Sequence, residues 1–211
     1  IMAIYDFLEK ENLLDKDVST GMDSSKETAR GILDIANEGL SLITNALDSA
    51  GDIVTREIKK NEFQKTNIFD LFENRILPFY KNKTYNTILD CDDKDIEAYL
   101  HIDSFKEAIN NIMENAEMHA FPGNTADPVL RFEINEDINE KEIIIDYTNN
   151  GHPLPTSVSE DVFLSIGKKS INSKGKGLGG AWIKKVIEAH NGSFEIIRDD
   201  NPVHFRLKFP Q

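Results

Sequence analysis

Near the end of the chain Val203, Phe205, Leu207 and Phe209 alternate with His204, Arg206 and Lys208. This period of two suits a strand with one buried face and no helix. A strand-like run at Ser193–Arg198 precedes it, joined through the turn Asp199-Asp200-Asn201-Pro202, so the two read as a hairpin. Two further β-rich stretches, Val129–Ile134 and Glu142–Thr148, flank a polar turn, and shorter runs lie at Thr84–Leu89 and Ala98–Ile102. A sheet with one apolar face needs a cover. The spacing predicts helices at 104–120, from Ala181 to Ala189, and after Asn67, which can cap a helix carrying Ile68, Leu71, Phe72 and Ile76. Helices segregated from hairpins predict an α+β fold, a two-layer sandwich in which helices cover one face of a mixed sheet.

A different period occupies the first third of the chain. Ala29, Leu33, Ala36, Leu40, Ile43, Leu47, Ala50 and Val54 recur in steps of four and three, the seam by which one helix faces another. Gly31, Gly39 and Gly51 each cost such a helix roughly 1 kcal/mol, so a long helix lying on its own domain competes with a dimerisation helix. A shorter helix is expected around Ile4 to Leu14. The division expected is a helical segment, 1–62, and a globular domain, 63–211.

Charge narrows the partners. With a net charge of −13 and a pI near 4.8, the chain is a poor general binder of nucleic acid. Yet between Val162 and Ile187 there is no acidic residue and there are six lysines, Lys168, Lys169, Lys174, Lys176, Lys184 and Lys185. That window suits a small, highly charged anion. One cysteine, Cys91, excludes an intrachain disulfide, and no apolar run approaches the roughly 20 residues of a membrane span. A reducing, cytoplasmic setting is expected, and the start at Ile1 without a signal-peptide pattern suggests a piece of a longer protein, one that could be membrane-attached elsewhere.

Within the basic window, Gly175, Gly177 and Gly180 satisfy G-x-G-x-x-G. A dinucleotide-binding turn would need a hydrophobic strand immediately before it, and here stands the polar "GKKSINSK"; a G-x-x-x-x-G-K-[ST] phosphate loop cannot be read either. The physics survives both exclusions. Glycines allow close backbone approach, and a helix N-terminus offers free N–H groups to phosphate; a flexible loop that merely starts a helix is the alternative. Gly192 in "HNG" is the expected stop of that helix.

The helix at 104–120 begins with Ser104 and Glu107, a capping-box pair. Phe105, Ala108, Ile109, Ile112, Met113 and Ala116 mark its buried arc, and Asn111 and Asn115 fall one turn apart on the edge of that arc. A pair of carboxamides at this spacing can coordinate magnesium through oxygen and reach phosphate through NH₂, although helix-edge asparagines often do neither. His119 lies nearer the apolar arc, as a partly buried helix-end residue or a phosphate contact. A strand running into Asn149-Asn150-Gly151 is suited to reading a base edge, and ordinary turn chemistry accounts for the same residues. About twenty mostly polar residues carrying "VFLSIGKK" separate it from the glycines, enough for a lid.

Four motifs in this order resemble the ATP-binding domain of the gyrase, Hsp90, histidine kinase and MutL superfamily, the Bergerat fold. "NNIMENAEMHAF" is similar to its asparagine box, "NNGHPLP" to the first glycine box, "VFLSIGKK" to the lid motif and "GKGLGGAWIKKVIEAHNG" to the second glycine box. The resemblance covers roughly 63–211. It implies ATP and Mg²⁺ as ligands, with Asn115 the metal ligand and Asn111 its phosphate-side neighbour. It implies Asn149 and Gly151 at the adenine, with Gly175, Lys176, Gly177, Leu178 and Gly179 along the triphosphate and His119 and Lys168 as further contacts. Two positions depart from the pattern: Asn149 stands where the family has an aspartate, and Met118 where many kinases carry a basic residue.

Position 111 discriminates among branches. The gyrase, Hsp90 and MutL branches carry a glutamate there as general base; Asn111 resembles the histidine kinase branch and cannot take a proton. Glu114, about 180° from Phe105, points to the far side. The resemblance therefore implies phosphoryl transfer to a protein residue, a homodimer through the 29–54 helix, and a protein phosphoacceptor or response partner. The earliest histidine is His101, so an acceptor lies upstream of this segment, on another protein, or nowhere. A non-kinase ATPase, a nucleotide-dependent switch and a degenerate module acting through the heptad helix are the competing readings.

Overall fold

The computed structural model describes residues 1–18, 27–123, 126–165 and 178–211. It divides into two compact units, Ile1–Asp52 and Ile53–Gln211.

In the first unit a helix α1 (Met2–Lys10) is followed by two short paired strands, β1 (Asp17–Val18) and β2 (Glu27–Thr28), and by most of a long helix α2 (Ala29–Thr55). The first helix ends earlier than the apolar spacing predicts, because Asn12 turns into the left-handed region at φ 54°. Tyr5 donates to Asp34, and Arg30 pairs with Asp15 at 2.8 Å, tying α1 and its following turn to α2. Of the heptad stripe, Leu40, Ile43 and Leu47 stay exposed.

The second unit holds the sandwich expected from the patterning. In chain order it contains β3 (Gln64–Asn67), α3 (Ile68–Leu71), β4 (Asn86–Cys91), β5 (Glu97–Leu100), α4 (Ile102–Asn115), β6 (Val129–Asp137), β7 (Glu142–Asn149), α5 (Glu160–Phe163), α6 (Gly179–Ala189), β8 (Ser193–Ile196) and β9 (Val203–Pro210). Five strands form one sheet in the order β4-β6-β7-β9-β8, with β4 and β6 parallel and the remaining pairs antiparallel. β3 pairs separately with β5.

The period of two does what it predicts: Ile143, Ile145 and Tyr147 of β7 and Val203, Phe205, Leu207 and Phe209 of β9 are all buried. Against them lie Phe105, Ile109, Ile112 and Met113 of α4, with Trp182, Ile183 and Val186 of α6, so the two helices cover one face of the sheet. Edge-to-face contacts of Phe105 with Phe72 and Phe209, at 6.3 and 5.4 Å, knit the layers.

Several local expectations change. Asn67 does cap α3, accepting from Asp70 N at 2.8 Å. Ser104, however, is no cap: α4 begins two residues earlier, the β5 run stops at Leu100, and His101 caps by accepting from Ser104 N through Nδ1 at 3.3 Å. Ser104 is then inside the helix and buried, and Glu107 turns away to pair with Arg56 at 2.6 Å. At the end of α6 the left-handed residue is Asn191 (φ 54°), with Gly192 N bonded to Ile187 O. Gly192 is required for packing instead, since a Cβ there would lie 2.4 Å from Lys208 O.

His204 also departs from the simple alternation, being only 9% exposed. Its ring bridges two carboxylates, Asp146 at 2.9 Å and Asp199 at 2.7 Å, and Arg206 clasps Asp146 with Nε and Nη2 at 2.8 and 3.0 Å. Burial alone would raise the Asp146 carboxyl, but the hydrogen bonds from Arg206 and His204 outweigh it and hold it below the usual carboxylate range.

Candidate nucleotide-binding site

The asparagine helix carries both carboxamides at half-buried positions one turn apart, Asn111 and Asn115. Neither is taken up by a hydrogen bond among the described residues, so both remain available to a ligand. Directly after Asn115 the helix widens into a π turn, Ala116–Ala120, closed by Phe121 N to Ala116 O at 2.9 Å. A wider turn advances fewer degrees per residue, so the 3.6-residue wheel fails beyond Asn115. His119 consequently stands exposed, not near the buried arc, and Met118 is 39% exposed. Glu114 points outward as the wheel predicts.

The second glycine motif meets this helix directly. α6 starts at Gly179, and a Cβ on Gly179 would sit 3.0 Å from Asn111 Oδ1. The first bond of the helix runs from Trp182 N to Leu178 O at 3.1 Å, leaving the N–H groups of Gly179, Gly180 and Ala181 without an intrahelical acceptor. Free donors, the positive end of α6 and a carboxamide pair thus converge. Gly180 serves a different need: a Cβ there would lie 1.9 Å from Phe163 O, the last residue of α5. Phe163 is fixed in turn by stacking on Phe194 at 5.4 Å and by contact with Phe205 at 4.7 Å.

The first glycine motif closes on the far end of the asparagine helix. A Cβ on Gly151 would meet Ala120 O at 2.3 Å, and His152 N donates to that carbonyl at 2.7 Å. Asn149 is buried, accepting from Gly151 N at 3.1 Å and donating to Tyr147 Oη at 2.9 Å. These bonds fix which end of the carboxamide is oxygen, and they leave Oδ1 one lone pair. Burial pushes the Tyr147 hydroxyl well above its ordinary range, so it stays a neutral partner. Asn150 is spent on the turn, accepting from Val129 N and donating to Asp127 O.

Lys168, Gly175, Lys176 and Gly177 lie outside the described residues. Of the remaining expected residues, Asn111, Leu178 and Gly179 come together at the start of α6, and Gly151 closes on Ala120 with Asn149 bonded to its N–H. A cavity of about 460 Å³, lined by Tyr80, Asn110, Glu114 and Met118 among others, contains none of these residues. Two supporting roles escaped the sequence reading: that of Tyr147, reachable through its spacing of two from Asn149 on one strand face, and the packing demand on Gly180, which the sequence shows only as the third glycine of the motif.

Residues 101–211, just over half of the chain, match the family of histidine kinase-, DNA gyrase B-, and HSP90-like ATPases. The chain belongs to this family. Its ATPase-type fold is the one expected from the four motifs, and the relatives lie in the sensor kinase branch. Over 111 residues it is 32% identical to the sensor protein CzcS of Cupriavidus metallidurans, an alignment covering 50% of this chain and 22% of CzcS. The chain therefore spans only about a fifth of the length of that curated relative. Among solved structures, the catalytic domain of histidine kinase ThkA superposes with a TM-score of 0.59 at 20% identity, covering 70% of this chain and 97% of that domain. ThkA in complex with the response regulator protein TrrA gives 0.61 at 16% identity, covering 99% of this chain and 56% of that one. At such identities the likeness is one of fold. No helix among the described residues is long and apolar enough to cross a membrane.

Proposed function

We propose that this segment is the ATP-binding catalytic part of a sensor-kinase-type signalling protein, which binds Mg-ATP and passes its γ-phosphoryl group to a protein residue outside the segment. The observation that carries the reading is the close approach of Gly179 to the Asn111 carboxamide, where an added Cβ would lie 3.0 Å from Oδ1, so that free α6 N–H groups stand beside Asn111. Asn115 ligates magnesium through its amide oxygen, and Asn111 reaches phosphate oxygens. Leu178 and Gly179 line the triphosphate, together with Lys168, Gly175, Lys176 and Gly177 of the basic window. Asn149 Oδ1 accepts from the adenine amine beside Gly151.

Magnesium, when bound, neutralises charge on the phosphates. The chain's own part is positioning: α6 presents N–H donors, and Asn111, having no basic function, leaves attack to a nucleophile supplied by the acceptor. The helical segment 1–62 leads into the ATP-binding domain 63–211, and the exposed Leu40, Ile43 and Leu47 stripe pairs two copies. The cytoplasm is the expected site, and a response regulator is the expected partner class, as TrrA is for ThkA.

Titration of ATP with and without magnesium tests the binding. Asn115→Ala should abolish the magnesium-dependent part, and an intact protein that binds no ATP refutes the reading. With γ-labelled ATP, label on protein supports transfer; release of free phosphate alone supports the ATPase alternative.

A further inference from the structure

The segment 152–160 leads from the first glycine motif to α5, and little backbone pairing holds it. Pro153 and Pro155 have no N–H; His152 and Leu154 donate to Ala120 O and Pro202 O, and Val158 donates to Pro155 O. That leaves a set of carbonyls able to accept, Pro155 O through its second lone pair. Arg198, at the end of the β8 arm of the terminal hairpin, takes three of them: Nη1 donates to Leu154 O at 3.0 Å, and Nη2 to Pro155 O at 3.3 Å and Val158 O at 2.6 Å. A guanidinium can do this because its donors form a rigid planar fork, which a lysine ammonium lacks.

Two residues before it, Ile196 N donates to Glu160 Oε1 at 3.0 Å. This bond above all, and then the bond from its own backbone N–H, hold the Glu160 carboxyl below its ordinary range. Ser159 caps the same helix start by accepting from Val162 N. The hairpin therefore grips both the approach to α5 and its first turn, while the other end of α5 presses its Phe163 carbonyl where Gly180 has no Cβ.

We infer that Arg198 is a positioning residue of the nucleotide site: by clasping the Leu154, Pro155 and Val158 carbonyls it sets where α5 abuts the start of α6. Arg198 touches neither site asparagine nor the second glycine motif; it holds the tail of the first, at Leu154 and Pro155, and acts on the start of α6 through α5. The inference rests on the proposed nucleotide site, and its two halves are separable by experiment.

The first measurement is amide hydrogen exchange in the nucleotide-free protein. Arg198→Ala should speed exchange at Val158, Val162, Phe163 and Leu164 about tenfold, as expected when local opening no longer breaks the clasp, and leave β6 and β7 amides unchanged. The second is affinity for a non-hydrolysable Mg-ATP analogue, with the dissociation constant rising about three- to tenfold in Arg198→Ala. Arg198→Lys should fall between the two on both readouts, and it carries the test if the alanine variant fails to fold. Unchanged exchange at α5 in both variants overturns the clasp. Faster exchange with unchanged affinity overturns its link to the nucleotide. A wild-type protein that binds no nucleotide, with exchange responding as stated, refutes the nucleotide site and reduces Arg198 to a structural pin.

Discussion

Adding one methyl group at Gly180 should unseat α5. The built Cβ lies 1.9 Å from Phe163 O, against about 3.3 Å for an ordinary close C···O contact, so one element must retreat by roughly 1.4 Å. α6 cannot yield easily, because Trp182, Ile183 and Val186 are buried within two turns of the site. α5 is the smaller element, but its retreat breaks the stack of Phe163 on Phe194, whose rings lie 3° from parallel. Overpacking of this kind costs about 1–3 kcal/mol. Replacing glycine in a helix returns about 0.5–1 kcal/mol, so Gly180→Ala should destabilise by about 1–2 kcal/mol. For a domain of this size that lowers Tm by about 2–8 °C. Thermal unfolding by circular dichroism reports the whole domain, and fluorescence of Trp182, the single tryptophan, reports α6 itself. Gly39 supplies the contrast, since nothing lies within 4 Å of its built Cβ; Gly39→Ala should stabilise α2 by about 0.5–1 kcal/mol. A Gly180→Ala protein as stable as the parent, with the Phe163–Phe194 contact intact, would refute the close approach.

The remaining predictions concern protons and the heptad stripe. His190 is buried among Phe63, Phe105 and Phe209, accepting from His101 N through Nε2 at 3.1 Å while Nδ1 faces Val186 O at 2.7 Å. Burial lowers its pKa against the Val186 bond, so the stability it contributes is present above its unfolded value of about 6.5 and is lost as pH falls below that. His190→Phe should flatten denaturation midpoints as pH falls below about 6.5 while costing about 1–3 kcal/mol at pH 7, because His101 N loses its acceptor. Asp146, also held below its ordinary value, contributes stability above pH of about 4 that disappears as pH falls through its folded pKa. Asp146→Asn should cost about 1–3 kcal/mol at neutral pH, and urea titrations of variant and parent should converge in acid. Ile43 is 58% exposed, so Ile43→Asp should leave the monomer's helicity nearly unchanged yet shift a dimer to monomer in sedimentation; an unaltered dimer would count against the heptad seam.

Much of this architecture is written in the periods of the chain. Val203 to Phe209 could bury one face only as a strand, and Asn111 sits at the margin of an apolar arc that had to meet the sheet. Its neighbour at Gly179 was legible because both belong to motifs whose order is itself informative. Where the reading failed, a long-range or many-body term decided. Ser104 and Glu107 have the pattern of a cap, but Arg56, about fifty residues away in sequence, competes for Glu107. His119 was placed by a helical wheel that the π turn after Asn115 no longer obeys. His204 looked like the polar member of an alternating strand, and two carboxylates from other segments allow its burial. Arg198 reaches back some forty residues to three carbonyls, and backbone acceptors leave no trace in side-chain periodicity.

The place of β9 has a consequence for the order in which the molecule can assemble. This strand lies inside the sheet, between β7 and β8, although it is the last of them along the chain. A chain emerging from the ribosome with everything up to Asn201 has β8 without its β9 partner and β7 with a whole edge of unpaired N–H and C=O groups. Phe105, Tyr147 and Phe163 then have no Phe205 or Phe209 to pack against. Closure of the core waits on Val203 to Phe209, and until they arrive the open edge of β7 is a surface for chaperones to guard.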